Sequence, residues 1–313
     1  MTVKPIQKVF LTLFSFALFM SMFAVPSASI QAQGENKPRI TVTTSFLEDI
    51  VRQIADDSVD TALIVPAGGD PHIYNAQASD LKNILEADLV LYHGLHFEAQ
   101  MADILSDYGF AVTRNFAEED LIYVSEDSAE IDPHYWFNLD LYQQTVTEVR
   151  DILTETFPEH TDVYEENTQA YMEELNELSE WIETELEKLP VEERILVTPH
   201  DAFTYFAEVN DFVVYAPQGI STESEVSNEQ IIQTVNFIVE NNVPAIFLDT
   251  TSNPQAMEKL REGVNERGAE VEVIGGAGHE LFSDSLAAEG QPNDNYIDMY
   301  KHNLSLIVDN LVK

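Results

Sequence analysis

Apolar and polar positions alternate in two regimes along this chain, and a third regime separates them. In the first, short apolar runs of four to seven residues are followed by segments of helical period. Ile40 to Thr44 reads as a strand and a helix follows from about Leu47. TALIVPAGG supplies a strand and a glycine turn, SDLKNILEA a helix that Ser79 is placed to cap, and DLVLYHG a further strand. AVTRNF, near residues 111–116, predicts one more. DDSVD and GGD are turn signals between these elements. Strands alternating with helices predict a mainly parallel sheet.

The middle is helical. One amphipathic helix is predicted from Asp140 to Thr156, broken near Pro158. A longer one is predicted from about Asp162 to Leu189, with Tyr164, Tyr171, Leu175, Leu178, Ile182, Leu186 and Leu189 on its apolar stripe. At about 1.5 Å per residue it would run roughly 40 Å, longer than the usual globular helix, and Pro190 stops it. A coiled coil is the alternative reading. A rigid connection between two lobes fits better, because strand–helix units resume beyond it. RILVTPHDAFTYFAEV gives strand then helix, FVVYAP a strand, and Asn228 to Glu240 a helix capped by Ser227. VPAIFLDT is a strand, Pro254 to Glu266 a helix, EVEVIGG a strand and NYIDMYKHNLSLIVDNLV the closing helix. The expected fold is therefore α/β: a lobe over 35–160, a linking helix over 161–190 and a second lobe over 191–313, each lobe with a mainly parallel sheet.

The remaining residues, 1–34, read as an export signal with its processing zone. Lys4 and Lys8 precede a nearly uncharged apolar stretch from Val9 to Val25, and small residues follow. Cleavage is expected between Ala28 and Gly34. A retained membrane anchor is the alternative for the same stretch. The mature chain is then expected in the periplasm or on the outer side of the cell membrane, as a monomer. With 15 Lys plus Arg against 56 Asp plus Glu, the net charge is −41. Nucleic acid and anionic membrane are poor partners for such a surface. Yet 44% of residues are hydrophobic, enough for a real core. The acidic coat suits high salt or high pH. The chain has no cysteine. That excludes thiolate ligands, disulfides and the lipid-bearing cysteine of many exported binding proteins.

Four residues then carry the chemistry: His72, His134, His200 and Asp284. Each lies in a short loop at or just after a predicted strand or buried turn, and such loops converge at the carboxyl edge of an open sheet. Three imidazoles and one carboxylate suit a borderline ion such as zinc. Four protein donors would close the coordination shell, which points to capture and release rather than to hydrolysis. Taken singly, each has a plainer reading: His72 as a surface loop residue, His134 as part of an aromatic core with Tyr135, Trp136 and Phe137, His200 and Asp284 as helix or turn caps. His93, His96 and Glu98, or His279 and Glu280, are competing donor groups, whereas His160 and His302 read as surface and structural. There is no H-E-x-x-H, G-x-S-x-G, phosphate loop or G-x-G-x-x-G. An extracytoplasmic zinc hydrolase and a cell-surface adhesin stand as alternatives.

Over nearly its whole mature length the chain resembles the zinc- and manganese-binding proteins of metal-uptake ABC transporters, in particular the TroA and ZnuA branch. The stretches that carry the resemblance are GGDPHIYNAQASDLKNILEADLVLYHGLHFE, DPHYWFNLDLY, LVTPHDAFTYFAE with GISTESE, AIFLDTTSNP, ELFSDSLA and NYIDMYKHNLSLI. The resemblance implies two α/β lobes bridged by one long helix, with the metal between them. It implies ligands at His72, His134, His200 and Asp284, and delivery of the ion to a permease served by a cytoplasmic ATPase on separate chains. A manganese-specialised branch usually has glutamate where His200 stands, so zinc is expected and manganese is the alternative. Many zinc-specific members also carry a long His/Asp-rich loop in the first lobe. Only acidic and mixed sequence follows His96 here. Asn138, where the family often has aspartate, is given no metal role.

Overall fold

The computed structural model describes residues 37–125, 127–276 and 278–312; the predicted export signal lies outside them. The chain enters with β1 (Arg39–Val42), whose Ile40, Thr41 and Val42 are buried, and α1 (Ser45–Ala55). β2 (Asp60–Leu63), α2 (Ala78–Glu86), β3 (Leu89–Tyr92), α3 (Ala102–Tyr108) and β4 (Phe110–Ala111) follow. These four strands form one parallel sheet in the order β2-β1-β3-β4. The order turns back between β1 and β3, and at such a switch the loops beyond the strands part to leave a crevice.

Next come α4 (Leu139–Thr156) and α5 (Thr161–Leu186), separated by a single tight turn at Pro158–His160. β5 (Ile195–Val197), α6 (Thr204–Asn210), β6 (Val213–Tyr215), α7 (Asn228–Asn241), β7 (Ala245–Phe247), α8 (Gln255–Glu266), β8 (Glu272–Ile274) and α9 (Tyr296–Leu311) complete the chain. β5 pairs with β6 and β7 with β8, both parallel. The fold is thus two parallel α/β halves joined by one long helix. Among the described residues no helix is long and apolar enough to cross a membrane.

The stripe predicted on α5 is the buried one: Tyr164, Tyr171, Leu175 and Leu178 are all nearly inaccessible. The helix is not an isolated connection. It packs against α1, α4 and α9. One apolar cluster runs from Ile40 and Phe46 through Leu175 to Phe247, Leu304 and Leu311, so the halves share a continuous core. Such a core resists wide hinging, because interiors pack at crystal-like density.

Two expectations differ. Ser79 does not cap α2. Gln77 does, in a reciprocal box in which the Asp80 side chain accepts from the Gln77 backbone N–H at 2.7 Å. Asp80 also accepts from the Tyr74 hydroxyl, and that second bond selects the earlier start. The strand expected near 111–116 ends at Ala111, where the chain turns back through Arg114 and Phe116. Ser227 caps α7 as expected, and Asn138 caps α4.

Replacing Leu175, fully buried at the centre of α5, with alanine is expected to destabilise the protein by about 3 kcal/mol. Urea unfolding monitored by circular dichroism checks this.

Candidate metal centre

Two Asp-Pro-His turns build the first half of the site. After β2 the chain turns at Pro66–Gly69, with Gly68 at φ +74° and its N–H donating to Ser285 Oγ at 2.7 Å. Gly69 is tight for a different reason: a Cβ there would meet the Pro66 carbonyl at 2.8 Å. Asp70 then accepts the backbone N–H of His72 at 2.9 Å. The second turn repeats this. Asp132 accepts the backbone N–H of His134 at 2.9 Å, and its Oδ1 also accepts the His134 ring Nδ1–H at 2.7 Å. An aspartate that bonds two residues ahead, with proline between, fixes the turn locally.

The second half supplies the rest from the carboxyl ends of β5, β7 and β8. His200 follows β5 and donates Nδ1–H to Asp249, which follows β7, at 3.1 Å. Asp249 itself accepts from the backbone N–H groups of Thr251 and Ser252. Asp284 lies in the long loop after β8. Thr251 donates to its Oδ2 at 3.1 Å. The neighbouring Ser283 carbonyl accepts the Trp136 indole N–H, and Leu286 N–H donates to Ser45. These two bonds stitch the Asp284 segment to the first half.

Among the described residues, His72, His134, His200 and Asp284 form the group whose donor atoms all lie within 4.8 Å of one another. All four are buried. His72 Nε2 and His134 Nε2 are 3.3 Å apart, as are His134 Nε2 and Asp284 Oδ1, and His200 Nε2 and Asp284 Oδ2. Even so, His200 Nε2 and Asp284 Oδ1 have no hydrogen-bond partner among the described residues. The four groups crowd together, with His72 and His134 in contact through Nε2 and Asp284 facing both His134 and His200. Buried polar atoms left this way call for a further bonding partner.

Electrostatics divides the three imidazoles. Burial drives His72 down to about 3, against the pull of Asp284 and with added repulsion from His134 and His200. His134 is also buried, which alone would lower it, but Asp132 and Asp284 outweigh that and carry it to about 9. Burial likewise opposes charge on His200, and Asp284 and Asp249 overcome it, lifting it well above the ordinary histidine value. Asp284 is pushed well below the carboxylate range, since His200 and His134 outweigh its burial.

The competing donors stay apart from this group. His93 is buried and hydrogen-bonded to the Thr44 and Tyr135 hydroxyls. Glu98 accepts from Thr43 Oγ1 at 2.6 Å and from His93 N–H at 2.8 Å, closing a turn. His96 and His279 are exposed. His302 donates to the Glu280 carbonyl at 2.9 Å, and His160, half-buried, lies against the Tyr164 ring. Sequence reasoning missed Asp132 and Asp249, the carboxylates behind two rings. The repeated Asp-Pro-His was the available signal for Asp132. Asp249 had none, because it meets His200 only after β5 and β7 come side by side.

Two parallel α/β halves around a long helix, closing over a buried group of three imidazoles and a carboxylate, define a two-lobed solute-binding protein. Residues 40–310 match the model of the periplasmic zinc-uptake complex component A family, ZnuA, and the chain belongs to that family. The zinc-binding protein TroA of Treponema pallidum is 35% identical over 290 residues, spanning 91% of this chain and 92% of TroA. The manganese-binding lipoprotein MntA of Bacillus subtilis is 31% identical over 299 residues, spanning 93% and 96%. A solved structure from a study of TroA metal-binding specificity aligns with a TM-score of 0.86 at 50% identity, covering 88% of this chain and 100% of that one. T. pallidum TroA aligns at 0.84 and 34% identity, with the same coverage. The expectation of a chain without a lipid anchor finds no support in these relatives, as MntA is a lipoprotein.

His134 gives a pH-dependent contribution to the stability of the metal-free protein. Its folded value, about 9, lies above the ordinary 6.5, so the contribution is complete below pH 6.5 and is lost as pH rises through about 9. Urea unfolding in chelator at pH 6 and pH 10 checks it: D132N is expected to be clearly less stable than wild type at pH 6, with the gap narrowing at pH 10.

Proposed function

We propose that this protein captures a divalent transition-metal ion outside the cytoplasm through His72, His134, His200 and Asp284 and hands it to an ABC permease driven by a cytoplasmic ATPase. The observation that carries the reading is the convergence of four buried donor groups, with 3.3 Å between His72 and His134, between His134 and one oxygen of Asp284, and between His200 and the other. Ligands about 2.0–2.1 Å from a tetrahedral ion stand roughly 3.3–3.4 Å apart, so the spacing matches a zinc-sized shell. Residues 35–160 and 191–313 form the lobes and 161–190 the link, and the protein acts as a monomer.

Zinc is favoured because three imidazoles make a borderline-soft donor set. Manganese is the second reading. It rests on the kinship with MntA, a manganese-binding protein, and on the carboxylate of Asp284, which brings one oxygen toward His134 and the other toward His200. Binding and release, not catalysis, suit the arrangement. A catalytic zinc keeps a position for water, whereas here four protein groups supply the donors. His134 and His200 are oriented by carboxylates on their far nitrogens, the arrangement that fixes the tautomer of a ligating imidazole. Kinship with the zinc-uptake component also supports transport over the hydrolase and adhesin alternatives.

Equilibrium competition between zinc and manganese, followed by elemental analysis, tests the proposal. One zinc per chain is expected to outcompete equimolar manganese. H72A, H134A, H200A and D284A should each lower affinity by more than about a hundredfold, beyond the loss an outer-shell partner causes. Undiminished binding in those variants would sink the assignment.

A further inference from the structure

The two Asp-Pro-His turns are alike in sequence and unlike in what their aspartates hold. Asp132 holds both the backbone and the ring of His134. Asp70 holds the backbone of His72 with one oxygen, and its other oxygen accepts the hydroxyl of Thr222 at 2.5 Å, 152 residues away. Thr222 belongs to the segment after β6 that is hung on the opposite side of the site. His200 makes a parallel bridge with Gln218, Asp201 N–H donates to the Gly219 carbonyl, and the Gln218 amide donates to the carbonyls of Thr222 and Ser224. Glu223 adds a second cross-contact by accepting from Gln100 at 2.6 Å. A short hydrogen-bonded path therefore runs from His200 through Gln218 and Thr222 to Asp70 and His72.

His72 is also where the site meets solvent. A cavity of about 400 Å³ lies over the cluster, and of the four donors it is lined by His72 alone. Leu95, Ile131 and Ile220 give it apolar walls, with Glu223 at its rim. An ion leaving the buried group by this route passes His72 first. Whatever holds the Asp70–His72 turn in register then sets how readily the coordination shell opens.

We propose that Thr222 is a positioning residue for metal retention: its hydroxyl, donated to Asp70 across the cleft, latches the His72 turn closed and slows escape of the ion. The latch rests on the four-residue metal site proposed above. It acts on the rate of release, through a bond that forms only when the two halves meet. A hydrogen bond to a charged acceptor is the stronger kind, and its loss leaves Asp70 half-buried with one oxygen unserved.

The test is zinc release from the loaded full chain into excess chromogenic chelator, followed by stopped flow. T222V removes the hydroxyl at nearly constant shape and T222S retains it. T222V is expected to release zinc about tenfold faster, T222S at close to the wild-type rate. D70N should also be faster, and T222V/D70N no faster than the quicker single variant, as expected of two groups in one bond. The melting temperature of metal-free T222V should fall by no more than about 4 °C, the size of one lost hydrogen bond, whereas a general loss of structure would lower it further. Equal rates for wild type and T222V, with tight wild-type binding, would overturn the latch alone. Wild-type protein that takes up neither zinc nor manganese would overturn the latch and the metal site together.

Discussion

A carboxylate buried between two imidazoles is the interaction on which the site depends. Asp284 is fully buried, with one oxygen 3.3 Å from His134 and the other 3.3 Å from His200. A buried anion without compensation is costly, so its surroundings must supply positive charge. In the metal-free protein, protons supply it: Asp132 and Asp249 stand behind the two rings, and together with Asp284 they hold His134 and His200 in the charged form against burial. A divalent cation bound by the neutral rings would replace the two imidazolium protons without a change in net charge. Binding is thereby an exchange of protons for metal, and the buried group carries the same net charge in both states.

The fold keeps this exchange local. All the participating side chains come from loops beyond the carboxyl ends of parallel strands, in two halves whose apolar residues form one cluster around α5. Because α5 packs on α1, α4 and α9 together, wide separation of the halves would expose core. Opening is then best accommodated at the rim, where loops are held by single hydrogen bonds, rather than by hinging about the long helix. The turn carrying His72 reaches the other half only through individual hydrogen bonds, Gly68 to Ser285 and Thr222 to Asp70, and leaves its ring without a carboxylate behind it, whereas the His134 ring is held by Asp132 and the Asp284 segment by Trp136 through Ser283.

Much of this was legible in the sequence. Strand–helix alternation gave the two halves, and the stripe from Tyr164 to Leu189 marked the buried face of the long helix, because burial follows helical period wherever a helix meets one core. His72, His134, His200 and Asp284 could be singled out by their position after apolar runs. Their meeting could not, since convergence depends on how sheets and long loops pack. Asp249 shows why: nothing local marks it, and its role exists only through β5 lying near β7. The start of α2 was misread at Ser79 because several polar residues there can accept a first-turn N–H, and the choice fell to Asp80, tied at once to Gln77 and Tyr74. His93 and His96, a plausible donor pair by spacing, are divided by a left-handed turn at Gly94, Leu95 and His96 that sends one ring inward and leaves the other exposed.

Counting the protons displaced by the ion tests the central claim most directly. Calorimetric titration of the metal-free protein with zinc at pH 7, in buffers of different ionisation enthalpy, gives that count. With His134 raised to about 9, His200 raised well above the ordinary histidine value by Asp284 and Asp249, and His72 lowered to about 3, about two protons should leave for each zinc bound. Release of fewer than about one would contradict the account, because the imidazoles around Asp284 would then already be neutral before the metal arrives.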